Sequence, residues 1–222
     1  MTREAYAEAF PAITGRPLIK LPQTAGRSES EIFFDALALN GADMSAGSEA
    51  ERLLKPFSTA LAAALEARRD DLVSQGHLLP GAAEALAAVD KLNDVGQSVL
   101  TGNSKPNAML KLRAFGLDGY IDFEIGGYGS EAYPKGTLLA VARQRAADKH
   151  PETFSGATVY VADSSRDVDA ARVGGARSLA VASGRASAAE LRDAGADAVL
   201  PDLTDTAGLT ALILRLTEPP PR

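Results

Sequence analysis

The chain has 222 residues, 23 basic against 29 acidic side chains, a net charge of -6 at pH 7 and no cysteine. The acidic balance, with no basic cluster, argues against nucleic acid and anionic membrane surfaces as partners, and the lack of cysteine excludes disulfides, thiolate catalysis and zinc–cysteine centres. No apolar run reaches membrane-spanning length and no basic stretch leads into an apolar one at the N-terminus, so a soluble, cytoplasmic protein is expected. A chain of this length buries a core as one large domain or as a domain with a smaller companion. The two histidines, His77 and His150, have no partner at metal-ligand spacing.

Ala5, Tyr6, Ala9, Phe10 and Ile13 recur at helical spacing and predict a helix over 4–13 that stops where Gly15 and Pro17 break it. Ser28 and Glu31 form a capping-box pair ahead of Ile32, Phe33, Leu37 and Leu39. That cap and the Phe33/Leu37 pair make FFDALAL a helix rather than a strand, ended by Asn40 and Gly41. A further segment from Ser48 to about Gln75 puts Leu53, Phe57, Leu61 and Leu65 on one stripe, and Pro56 is expected to kink or divide it. GHLLPG, at 76–81, reads as a linker, so residues 1–78 are expected to form a small all-helical domain.

From Pro80 the rhythm changes to alternating helix and strand. Helices are expected at 81–95, 106–115, 136–147, 168–173 and 188–194, and strands at 98–103, 122–127, 159–163, 178–183 and 198–202. Repeated αβ units with apolar strands imply a parallel sheet covered on both faces, spanning 79–216. A disordered tail, 217–222, is expected after it.

The chemistry collects at strand ends, where open α/β sheets place their ligands. In ATVYVADSSRDVDAA, residues 157–171, a strand ends on Asp163 and the next helix carries Asp167 on its first turn. Both can serve as ordinary helix-start acids. Ser164 and Ser165 already suit that cap, however, and two carboxylates ~4 Å apart repel by ~4 kcal/mol at a surface-like dielectric. A hard cation such as Mg²⁺ is the alternative reading. SVLTGN ends on Thr101, Gly102 and Asn103 before a helix, which suits a phosphate or is a plain turn. Lys135 would add a cation at this edge, or is simply solvated. GGYG, at 126–129, lacks the later glycine of a dinucleotide fingerprint and is rejected.

In this order (a helical front, a strand ending in Thr, a lysine before a helix, a strand ending in DxxxD) the chain resembles the haloacid dehalogenase-like hydrolases. The likeness is to their phosphoglycolate phosphatase-like branch with a helical C1-type cap. It runs from AYAEAF to about Leu203 and includes LPQTAGRSESEIF and LLPGAAEAL. The resemblance implies a Rossmann-like core and Mg²⁺-dependent hydrolysis of a small phosphorylated metabolite through an aspartyl-phosphate. It implies Thr101 as holder of the phosphoryl group, with Asn103 and Gly102 beside it, and Lys135 neutralising charge. Asp163 would ligate Mg²⁺, and Asp167 would ligate it or orient its waters. Arg27 would be the cap's substrate contact, or a solvated arginine at a helix start.

One element of the family pattern is missing: the strand ending in DxD that carries the nucleophile and the acid/base, at the centre of the family's sheet. Asp35 cannot replace it, because it lies in a capped helix and lacks the second carboxylate. Without that strand, 98–103 and 159–163 must pair directly, leave a gap, or borrow a strand. The chain is therefore expected to be an N-terminally incomplete and inactive phosphatase. The alternative is a non-catalytic binding or regulatory module on the same scaffold.

Overall fold

The computed structural model describes residues 2–24, 27–42, 47–131, 135–183 and 186–218. In chain order the helices are α1 (Thr2–Thr14), α2 (Glu29–Leu39), α3 (Gly47–Glu66), α4 (Arg69–Gln75), α5 (Ala82–Val89), α6 (Lys105–Ala114), α7 (Lys135–Lys149), α8 (Ser165–Val173), α9 (Ala188–Asp193) and α10 (Thr206–Thr217). The strands are β1 (Leu100–Thr101), β2 (Gly127–Tyr128), β3 (Val159–Ala162), β4 (Arg177–Val181) and β5 (Ala198–Leu200). Two compact units result. The first comprises Met1–His77, Thr101–Asp118 and Tyr128–Tyr133, and the second Leu78–Leu100, Gly119–Gly127 and Pro134–Arg222. Thr101–Asp118 and Tyr128–Tyr133 thus group with the N-terminal helices rather than with the rest of the α/β segment.

The first unit is built on an aromatic cluster. Phe10, Phe33 and Phe57 are fully buried. Phe33 stacks on Phe57 with centroids 4.4 Å apart, and Tyr6 tilts onto Phe57 at 5.4 Å. Helix α2 starts as its sequence requires. The Ser28 hydroxyl accepts from the Glu31 amide, and the Glu31 carboxylate accepts from the Ser28 amide at 2.7 Å. Pro56 does not divide α3, which runs through it on the buried stripe of Phe57, Leu61 and Leu65. The break falls at Ala67–Arg68 instead, where Arg68 Nη1 donates to the Ala64 carbonyl at 2.7 Å and Nη2 pairs with Glu8.

In the second unit β4 is central in a parallel three-stranded sheet, flanked by β3 and β5. Val159 of β3 lies opposite Arg177, and Ala162 opposite Ala180. α10 was not anticipated: Asp205 caps it by accepting from the Gly208 amide, and Leu209 and Ile213 are buried. Of the expected tail, residues 219–222 lie outside the described residues, while Thr217 ends α10. Among the described residues no helix is long and apolar enough to cross a membrane.

Two expected strands are much shorter in the structure. The 98–103 segment contributes only Leu100–Thr101, and 122–127 only Gly127, which forms β2 with Tyr128. Asp122 explains the second, since its carboxylate accepts from the Glu124 amide at 3.0 Å and turns the chain before the ladder can extend. The two segments still run side by side, with Asp122 N donating to Gln97 O and Gly127 N to Val99 O. Among the described residues β1 pairs with β2 alone and β3 with β4 alone, so β1 and β3 do not pair directly. β3 also leaves Val161 42% exposed, unlike the buried residues of β4.

Phe33→Ala is predicted to cost about 3–5 kcal/mol in denaturant unfolding. Leu39→Ala, on the exposed side of the same helix, is predicted to stay within about 0.5 kcal/mol.

Candidate functional site

The Thr101 turn is the more tightly determined of the two groups of expected site residues. Asn103 donates to the Thr101 hydroxyl oxygen twice, from its amide Nδ2 at 2.8 Å and from its backbone N–H at 3.2 Å. Lys111, two turns into α6, donates from Nζ to Asn103 Oδ1 at 2.6 Å. Burial pulls the Lys111 ammonium below the ordinary lysine range, and the nearby Glu29 charge works against that shift.

Glu29 fastens this turn to the start of α2. It is only 4% exposed, and its Oε2 accepts from the Ser104 N–H at 3.1 Å and from Asn107 Nδ2 at 2.7 Å. Its backbone N–H donates to the Gly102 carbonyl at 2.7 Å. Ser30 donates from its hydroxyl to the Gly129 carbonyl at 2.7 Å. The approach is so close that a Cβ at Gly102 would collide with the Arg27 carbonyl, and one at Gly129 with the Gly102 carbonyl. Glu29 Oε1, Ser104 Oγ and Asn107 Oδ1 are buried without a hydrogen-bond partner among the described residues.

Arg27 lies beside Gly102 through its backbone. Its guanidinium pairs with Asp35 at 2.8 Å and donates to the Glu31 carbonyl at 3.4 Å. It is neither a freely solvated arginine nor an uncommitted ligand group.

Asp163, Asp167 and Lys135 belong to the second unit. Asp163 follows β3 directly and is exposed, whereas Asp167 is buried on the first turn of α8. Ser164 is the N-cap and donates its hydroxyl to Asp167 Oδ2 at 2.8 Å, and the Tyr160 hydroxyl donates to Oδ1 at 3.2 Å. Burial pushes the Tyr160 phenol well above its ordinary value, helped by the charges of Asp167 and Asp163. Lys135 opens α7, and its side chain lies outside the described residues.

Among the described residues no group of three His, Cys, Asp or Glu side chains forms a ready metal cluster. The Asp163/Asp167 pair nevertheless fits Mg²⁺, which is held by one or two carboxylates and completes its shell with waters and phosphate oxygens. The chain's one Asp-x-Asp triplet, Asp167-Val168-Asp169, lies in α8 and not after a strand. Asp169 is turned to solvent in a 2.8 Å pair with Arg172.

Sequence reasoning missed Glu29, Lys111 and Tyr160. A signal existed for Lys111, because Ser104, Asn107 and Lys111 share one face of α6 at spacings of three and four, a polar row on a helix that also buries Ala108 and Leu110. Glu29 passes as a routine first-turn acid.

A parallel-sheet α/β unit with carboxylates at a strand tip, in a chain with a helical unit at its front, is the class that fold and site define. The chain belongs to the haloacid dehalogenase-like hydrolases, whose family model matches residues 7–172, as the motif order implied. Its fold is similar to that of a hydrolase from Pseudomonas syringae, at 24% identity and a TM-score of 0.56 over 96% of this chain and 91% of that one. It is also similar to a candidate β-phosphoglucomutase from Bacteroides vulgatus (14% identity, TM-score 0.55, covering 98% of this chain and 85% of that one). A third likeness is to a HAD hydrolase of family IA, variant 3, from Entamoeba histolytica (16% identity, TM-score 0.53, covering 96% and 92%). At such identities the likeness speaks to the fold alone. Among curated proteins no sequence matches the chain.

The buried phenols set an alkaline limit. Tyr6 and Tyr160 keep their protons in the folded state after an unfolded chain, with phenols near 10.0, has lost its own. The folded state then binds more protons, so stability falls as pH rises above about 10. Urea unfolding at neutral pH and at about pH 11 checks this: the drop should shrink in Tyr160→Phe.

Proposed function

We propose that this hydrolase-family chain is of the phosphatase type, binding a small phosphorylated metabolite with Mg²⁺ in the manner of the phosphoglycolate phosphatase-like branch. The observation that carries the reading is the carboxylate pair at the tip of β3. Asp163 is exposed, and Asp167 is fixed by Tyr160 and Ser164.

In this reading Asp163 ligates Mg²⁺, and Asp167, its orientation set by two hydroxyl donors, ligates it or holds its waters. The bound ion would supply charge neutralisation of phosphoryl oxygens. Thr101 donates a hydrogen bond to the phosphoryl group, with Asn103 and the Gly102 backbone beside it, and Lys135 balances the negative charge of phosphate and carboxylates. Arg27 contacts the substrate by exchanging Asp35 for the ligand's anionic group.

The family's aspartyl-phosphate step needs a carboxylate oxygen to attack phosphorus while a second carboxyl protonates the departing ester oxygen. Water then cleaves the acyl phosphate. The single Asp-x-Asp triplet of this chain sits in α8, with Asp167 and Asp169 otherwise engaged. That observation favours a second reading for these 222 residues, as a module that binds phosphate and metal without turnover.

An aryl phosphate assay with Mg²⁺, run beside thermal melts with Mg²⁺ and inorganic phosphate, separates the outcomes. Little or no turnover with a raised Tm is expected, and Asp163→Asn should remove the Mg²⁺ part of the rise. Turnover at an ordinary enzymatic rate would overturn the account of the missing nucleophile. Failure of both ions to shift Tm would overturn the phosphate reading.

A further inference from the structure

The hydrogen bonds behind Thr101 have only one consistent direction. A lysine ammonium donates and never accepts, so the atom of the Asn103 amide facing Lys111 Nζ at 2.6 Å must be the carbonyl oxygen Oδ1. The amide nitrogen Nδ2 therefore faces Thr101, and it too can only donate, at 2.8 Å. The backbone N–H of Asn103 donates to the same oxygen at 3.2 Å. A hydroxyl has two acceptor lone pairs and one donor proton. With both lone pairs filled from within the turn, the Thr101 proton has to be given to something outside it.

We infer that Lys111 is a positioning residue that fixes the polarity of the Asn103–Thr101 pair and so commits the Thr101 hydroxyl to donate to an anionic ligand. The inference rests on the phosphate reading of Thr101 and deepens it. Lys111 touches no ligand; it acts through the Asn103 amide. With no donor at position 111 the amide is free to rotate, Oδ1 can take the Thr101 proton, and the hydroxyl then offers an anion a lone pair rather than a proton.

Several features keep the ammonium in this role. Glu29, on α2, supplies the nearby negative charge that favours the protonated form, against the burial that disfavours it. The turn that presents Asn103 cannot shift to meet some other partner, because Glu29 holds Gly102, Ser104 and Asn107 at once. Lys111 therefore answers to both ends of one buried network: a carboxylate that stabilises its charge and an amide that reads it.

The experiment measures the affinity of the full chain for inorganic phosphate by calorimetry, alongside the Asn103 side-chain amide signals by NMR. Lys111→Met is expected to weaken phosphate binding about tenfold, the worth of one charge-assisted hydrogen bond, and to move the Asn103 amide signals. Lys111→Gln, whose amide accepts as well as donates, should weaken it in the same direction, while Lys111→Arg, a donor only, should restore both readouts. In a Thr101→Val background, Lys111→Met should cost no further affinity, since its effect passes through the hydroxyl.

Unchanged affinity and unchanged amide signals in both Lys111→Met and Lys111→Gln would overturn the inference. So would a Lys111→Met loss that adds in full to that of Thr101→Val. If the unmodified chain binds no phosphate yet its amide signals respond to position 111, the phosphate reading fails while the hydrogen-bond order behind Thr101 stands.

Discussion

A carboxylate at the start of α2 holds the first unit's turn after β1 in place. Glu29 is buried, and a buried charge is tolerated only where donors surround it. Here the donors are the Ser104 N–H and the Asn107 amide, and the same residue's backbone N–H reaches the Gly102 carbonyl. Ser30, one residue on, ties Gly129 to the same helix start. The turns after β1 and β2 are therefore fastened to one helix end. Gly102 and Gly129 follow from this, because no side chain fits where the backbones meet. Phe33, on α2, anchors that helix in the aromatic cluster, so packing in the core and the placing of Thr101 are linked through a single element.

The second unit follows a different rule. Parallel strands are ordinarily covered on both sides by neighbours and helices. β4 obeys that rule, while β3 has one partner among the described residues and an exposed Val161. β3 nevertheless ends in the carboxylates on which the metal reading depends. They are ordered locally rather than by the sheet: Ser164 caps α8 and grips Asp167, and Tyr160, within β3, grips it from the other side. Asp163 is left with its oxygens facing water, the state expected of a ligand to a cation that keeps part of its hydration.

What the sequence revealed follows the range of the interactions involved. The Ser28/Glu31 box, the end of α2 at Asn40 and the stripe on α3 are local patterns, and each was legible. The α/β class and the family were legible because strand tips and helix starts occur in a fixed order. The lengths of 98–103 and 122–127 were not, since apolar composition does not report the turn that Asp122 makes with Glu124. Pro56 lies inside α3 without dividing it, on a helix whose Phe57, Leu61 and Leu65 are buried. α10 has its own signal in Leu209, Leu212, Ile213 and Leu216 at helical spacing. In the site, Thr101, Asp163 and Asp167 stood out at element ends. Glu29 and Asn107 meet across 78 positions of chain, which no spacing rule anticipates.

Together these features describe a family hydrolase in which the Thr101 turn and the Asp163/Asp167 carboxylates are built by separate local networks. The proposed function is that phosphate and Mg²⁺ bind this chain together. Such a pair must be thermodynamically coupled, each raising the other's affinity by the same factor. The most direct measurement is a calorimetric titration of the intact chain with inorganic phosphate, with and without Mg²⁺. The account predicts that phosphate binds more tightly with Mg²⁺ present, and that Mg²⁺ binds more tightly with phosphate present by an equal factor. Phosphate affinity indifferent to Mg²⁺ would contradict it.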